Sequence, residues 1–175
     1  MQALDTSVDS DASAKSRFEG VAVHGLIPHR GDILFATSVT VLADDQFEGT
    51  ACWTDQQAGL AGHFPGAPIV PAIFLVEAAA QIVGAGLAAV HREKRGSAQQ
   101  GQVGVMAGIR RCNFSRPVFP GQVVRFELRL GRATADFASC SGSFSVDGST
   151  AGSLEFVVAM ADARTLFEVS PVKDH

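Results

Sequence analysis

Gly62-His-Phe-Pro-Gly-Ala-Pro-Ile-Val-Pro-Ala-Ile-Phe-Leu-Val-Glu-Ala-Ala-Ala-Gln81 is the stretch on which the fold turns. Pro65, Pro68 and Pro71, with Gly62 and Gly66, enforce a non-helical approach, because proline lacks an amide donor and glycine has no side chain to restrict φ. Pro71 suits a first helical position, where its missing N–H costs nothing. From Ala72 the residues are helix formers or large apolar groups, which predicts a helix running toward Val90. The first-turn amides of such a helix have no partner within it and carry the positive end of its dipole. His63 stands just upstream of that end, and Glu77 falls in the second turn of an otherwise apolar helix. A base, an acid and an anion-stabilising terminus in one short stretch are the material of a proton-transfer site.

Residues 73–90 approach the length of a bilayer span, yet Glu77 and Gln81 interrupt them and Gly84 and Gly86 thin the side chains. That pattern describes a helix enclosed by protein rather than a membrane span. An antiparallel sheet from the rest of the chain must do the enclosing. Strand patterns occur at Ile33–Leu42 and Gln46–Thr54 before the helix, and at Val103–Phe114, Gln122–Arg132, Ala135–Val146 and Thr150–Ala161 after it. Asp147-Gly148 between the last two is a hairpin signal, since it tolerates the positive φ of a type I′ turn. The expected class is therefore α+β, in the order two strands, one long helix, four strands. Residues 1–16 are polar and aperiodic and are expected to be a disordered tail; 17–162 form one domain, and 163–175 a second tail. The polar segment 92–101 reads as an exposed loop, and Gly25–Asp32 as a turn carrying His29 and Arg30.

The 175 residues, 46% hydrophobic and 18% charged, suit a single globular domain. A net charge of −4 without a Lys/Arg block argues against nucleic acid as a partner. Cys52, Cys112 and Cys140 are odd in number and lack a CxxC spacing, so neither a disulfide framework nor a metal site is implied. A reducing, cytoplasmic setting is expected. Met1–Ser16 has neither the basic region nor the apolar run of a signal peptide.

His63 alone in a Pro/Gly loop reads more readily as a structural or surface residue than as a catalytic one, and it is Glu77 that shifts the weight. Glu77 admits two readings. In one, the carboxyl is exposed or satisfied by Gln81, four residues on along the same helix face. In the other, desolvation raises its pKa until it serves as a proton donor near neutral pH, with His63 as the neutral base.

Taken together these blocks resemble the β-hydroxyacyl-acyl-carrier-protein dehydratases, a hot-dog-fold family. The resemblance runs from Ile27 to Ala161 and rests on Ile27-Pro-His-Arg30, Gly62-His-Phe-Pro-Gly66, Pro68-Ile, Pro71, and Glu77-Ala78 with Gln81. It continues through Ala107-Gly-Ile109, Phe114-x-Arg-Pro117 and Pro120-Gly121, and His63 and Glu77 keep the family's interval of fourteen. It implies an antiparallel sheet wrapped around one central helix, and dimers, sometimes three to a hexamer, that share active sites across the interface. The implied reaction removes water from a 3-hydroxyacyl thioester to give the trans-2-enoyl thioester, without cofactor or metal. By position, His63 takes the C2 proton, Glu77 protonates the departing hydroxyl, and the amides of Ala72 and Gly66 hold the thioester oxygen. Phe64, Ile69, Val70, Phe74 and Met106 are candidates to line an acyl tunnel. Arg110, Arg111 and Arg116 are candidates to dock an acidic acyl carrier protein.

The chain departs from the family's pattern in places. Ala72 stands where glycine is usual, the Pro-Phe and Asp-Arg pairs after Arg30 are missing, and there is no tyrosine to gate a tunnel. A specialised enzyme of polyene or polyketide assembly is thus as fitting as one of primary fatty-acid synthesis. Alternatives are a dehydratase that also isomerises trans-2 to cis-3 enoyl chains, and a non-catalytic subunit of a hetero-oligomer. A hot-dog thioesterase fits the fold but not the Gly-His-Phe-Pro-Gly block.

Overall fold

The computed structural model describes residues 16–60, 62–95 and 102–162. In chain order these form β1 (Ser16–Glu19), α1 (Val21–His24), a 3-10 turn (Gly31–Ile33), β2 (Ala36–Ala43), β3 (Gln46–Ala51), α2 (Ala72–Arg95), β4 (Gln102–Phe114), β5 (Val124–Ala133), β6 (Phe137–Val146) and β7 (Ser149–Asp162). The strands make one seven-stranded sheet in the order β1-β2-β3-β5-β6-β7-β4. Every pairing is antiparallel. This is the α+β arrangement expected from the sequence, with α2 laid across the sheet.

Two elements were not legible beforehand. β1 is four residues, alternating half-buried and exposed, and exists by pairing with the edge of β2; α1 is a single turn. Ser16, the last residue of the expected tail, opens β1. Residues 1–15, 96–101 and 163–175, assigned to tails and part of a loop, lie outside the described residues. β2 starts at Ala36 rather than Ile33, because Gly31–Ile33 close a 3-10 turn. β3 stops at Ala51, yet Trp53 beyond it is fully buried.

α2 starts at Ala72 with Pro71 just outside it, and the Phe74 amide donates to the Pro71 carbonyl at 2.9 Å. It runs beyond Val90 to Arg95, through residues assigned to the loop. Arg92, Glu93 and Lys94 are good helix formers, and Glu93 and Lys94 bind Ser16 and Asp44.

Glycines let helix and sheet approach closely. A Cβ at Gly49 would lie 2.8 Å from Ile82, and one at Gly86 would overlap the Phe47 ring. Ile82 and Phe47 are themselves fully buried, so neither can move aside. The Asp147-Gly148 turn has φ of 50° and 73°, the pair of positive values a type I′ hairpin needs. By length and composition alone α2 could cross a membrane, at a mean hydropathy of 1.9, but 61% of that window is buried inside the domain. The enclosing sheet accounts for its apolar character.

Candidate active site

The approach segment folds back so that His63 meets the start of α2. The His63 amide donates to the Leu60 carbonyl at 2.9 Å, and Nδ1 lies 2.8 Å from the carbonyl of Ile69. A carbonyl only accepts, so Nδ1 carries the hydrogen, and Nε2 is left with its lone pair as the basic atom. The Phe64 ring stands edge-on to the imidazole at 4.6 Å. Phe64 adopts φ of 62°, a left-handed conformation that costs a bulky residue on the order of 1–3 kcal/mol and must be imposed by its surroundings.

His63 opens onto a groove of about 350 Å³ whose one wall is Ile69, Val70, Ala72 and Leu75 and whose other is residues 114–118. The Val70 amide donates to the Val118 carbonyl at 2.8 Å and ties the walls together. Ala72, first residue of α2, thus faces the same space as His63, where the helix end favours negative charge.

Glu77 is not in that groove. Its Oε1 accepts from Gln81 Nε2 at 2.9 Å and lies 3.2 Å from His29 Nε2. Gln81 is itself fully buried and holds the Phe35 and Ala36 amides through Oε1 at 2.8 and 3.1 Å, and the Ile33 carbonyl through Nε2 at 2.7 Å. Contrary to the proton-donor reading of the sequence, the Glu77 pKa is not raised on balance. The His29 hydrogen bond lowers it, burial opposes that, and Gln81 and electrostatic attraction to His29 add to the lowering, so the carboxyl sits below its ordinary value. The pairing with Gln81 read from their spacing is present.

The groove gathers four of the expected site residues besides Arg116: His63, Ile69, Val70 and Ala72. Gly66, φ 84°, belongs to an exposed turn closed by the Ala67 amide on the Phe64 carbonyl at 2.9 Å. Phe64 is 58% exposed. Phe74 packs on Phe35 at 4.7 Å, and Met106 lies half-buried against the core. Neither of these two lines the groove of a single chain. Arg116 lies in the groove wall, whereas Arg110, 3.8 Å from Glu155, and Arg111 are exposed on β4. Sequence reasoning missed the part His29 plays beside Glu77. The Gly25–Asp32 turn that carries His29 is legible in the sequence, but nothing local joins His29 to a residue 48 positions on.

The architecture defines an α+β hot-dog domain, a single antiparallel sheet laid around one long central helix. Its fold is shared with the dehydratase heterocomplex ApeI:P from Xenorhabdus doucetiae, at a TM-score of 0.67 and 17% identity over 84% of this chain and 95% of that one. Residues 28–155 match the profile of the FabA-like domain. The 3-hydroxyacyl-[acyl-carrier-protein] dehydratase FabZ of Thermomicrobium roseum is 32% identical over 151 residues, covering 84% of this chain and 97% of that enzyme. The FabZ of Bacillus pumilus is 30% identical over 139 residues, covering 79% and 92%. The chain belongs to the FabZ/FabA-like dehydratase family, whose enzymes are hydro-lyases.

Proposed function

We propose that the chain dehydrates 3-hydroxyacyl thioesters carried on acyl carrier protein to trans-2-enoyl thioesters. Nε2 of His63 takes a proton from C2, and that electron pair forms the C2–C3 double bond. The C3–O bond breaks, and the departing oxygen takes a proton from Glu77 to leave as water. The Ala72 amide at the start of α2 holds the thioester oxygen while charge builds on it. No cofactor enters, because the thioester itself acidifies C2.

The observation that carries this reading is the His63 ring, whose Nδ1 is held on the Ile69 carbonyl so that the basic nitrogen is free beside the helix terminus. Within one chain Glu77 lies outside that groove. The working site therefore takes His63 from one subunit and Glu77 from another. The exposed apolar groups Val105, Ile109 and Phe114 on the edge strand β4 favour an edge-to-edge dimer; such dimers suit assembly into hexamers or with a related subunit. Arg116 is the best placed of the three arginines to meet a carrier arm. Ala72 narrows the approach to the oxyanion position relative to glycine, which favours a specialised cytoplasmic chain-assembly pathway such as polyene or polyketide synthesis.

The test is mass spectrometry of 3-hydroxyacyl carrier proteins of graded chain length incubated with the pure protein, with His63→Ala as control. Loss of 18 mass units, that of one water (about 18 Da), with wild type and not with the variant is expected, a drop of at least about 10²-fold. Equal turnover by folded His63→Ala would remove His63 from the mechanism.

A further inference from the structure

We propose that His29 is the positioning residue of the Glu77 carboxyl, reserving Oε1 so that Oε2 alone faces the departing hydroxyl. This rests on the dehydratase reading above. The orientation of the Gln81 amide admits no choice. Its Oε1 faces two backbone donors, the amides of Phe35 and Ala36, so its Nε2 is the atom toward the Ile33 carbonyl and toward Glu77. Glu77 Oε1 must therefore accept from Gln81. One lone-pair direction of that oxygen remains, and His29 Nε2 lies beside it at 3.2 Å.

The other nitrogen of His29 settles which ring atom carries hydrogen. Nδ1 is buried and has no hydrogen-bond partner among the described residues. A hydrogen there would be a buried orphan donor, a costlier state than a bare lone pair beside no donor. The hydrogen is at Nε2, and it donates to Oε1. With Oε1 accepting twice, any proton the carboxyl carries resides on Oε2.

His29 and Gln81 are the groups that act on the Glu77 charge among the described residues. Arg30, the next residue along, is turned away: its guanidinium donates to the carbonyls of Ile27 at 2.7 Å and His29 at 2.6 Å. Those bonds fix the backbone that carries the His29 ring. The His29 N–H thus has two effects on Glu77: it stops the carboxyl rotating, and it stabilises the charged form.

The experiment reads the carboxyl directly. Carbon-13 NMR of uniformly labelled protein follows the Glu77 carboxyl through a pH titration, the signal being assigned by its absence in Glu77→Gln. In His29→Leu the titration midpoint should move up. In His29→Gln, whose side-chain amide still offers an N–H, it should return toward wild type. kcat/KM for a 3-hydroxyacyl carrier protein should fall about tenfold in His29→Leu, short of the roughly 10²–10⁴-fold loss expected when an acid is removed outright. The limb of the pH profile set by the carboxyl should shift upward with the NMR midpoint. An unmoved midpoint in folded His29→Leu, or His29→Gln no nearer wild type than His29→Leu, overturns the assignment. Should His29→Leu fail to fold, His29→Asn, whose shorter amide falls short of Oε1, takes its place. If wild type dehydrates no 3-hydroxyacyl substrate, the dehydratase reading fails while the titration still decides the role of His29.

Discussion

Gln81→Leu tests whether one side chain stitches the central helix to the strand that begins beside it. Leucine keeps the volume and loses every polar atom. The Phe35 and Ala36 amides, in residues 2% and 4% exposed, are then left without their acceptor. Each buried orphan costs about 1–3 kcal/mol, against which the extra apolar burial of leucine returns about 1 kcal/mol. The Ile33 carbonyl also loses its donor, but Ile33 is 50% exposed, so water can replace it at little cost. The net loss is about 3 kcal/mol, or a fall in Tm of roughly 6–12 °C for a chain of this size. The protein carries its own probe: Trp53, its one tryptophan, is fully buried with its ring 5.6 Å from that of Phe35. Urea unfolding followed by Trp53 fluorescence should show a lower midpoint with an unchanged m-value. A midpoint equal to wild type would refute the reasoning, because it would mean those amides find other partners. Gln81→Glu sharpens the test, since it keeps both acceptor bonds while setting a second carboxylate beside Glu77; it should raise the Glu77 titration.

Three further outcomes follow from the packing and the charges. Gly86→Ala should lower Tm, because overpacking against the immobile Phe47 ring costs about 1–3 kcal/mol, more than the roughly 1 kcal/mol alanine gains as a helix former; a rise in Tm would show that helix and sheet can separate. Burial pushes the Cys140 thiol up to about 12, so iodoacetamide at pH 8 should leave it unmodified in the native protein and label it in urea, as read by peptide mapping. Glu77 titrates below its ordinary value when folded; its bonds therefore stabilise fully above the unfolded carboxyl pKa and are lost as pH falls through the folded one. Over that acid window wild type should lose more stability than Glu77→Gln in unfolding series, and parallel slopes would deny the linkage.

What could be read from the chain beforehand follows the range of the interactions involved. The helix start is written in Pro71-Ala72, and the last hairpin in Asp147-Gly148, because backbone chemistry within a few residues decides both. Strands β4 to β7 were found nearly to their ends, since alternation along each strand reports its own inner face. β1 escaped because Ser-Arg-Phe-Glu has no pattern of its own and is a strand only beside β2. The extension of α2 past Val90 escaped for a related reason: its polar last turn is held by Ser16 and Asp44, remote in sequence. His63 and Glu77 were legible as residue types with a spacing. The groove lining was legible only in part: Ile69 and Val70 line it, whereas Phe74 and Met106 face packing partners that no linear pattern identifies.

The sign of the Glu77 shift shows the same limit in chemical form. An acid flanked by Ile73, Phe74, Leu75, Val76 and three alanines reads as desolvated, and burial does push its pKa upward. The outcome is reversed by donors whose placement is tertiary: His29, from a turn on the far side of two strands in sequence, and Gln81, whose amide is oriented by Phe35 and Ala36. A carboxyl so held favours its charged form and carries a proton less readily while water has access to it. On the proposed chemistry a bound acyl chain changes that balance, since excluding water strengthens the burial effect while the two donors stay as they are. The acid is then made competent by the substrate that needs it, and a free enzyme holds the proton less readily than the complex. Glu77 titrated in the presence of a non-reactive acyl analogue should accordingly show a higher midpoint than in the free protein; an unchanged or lower one would place the proton donor elsewhere.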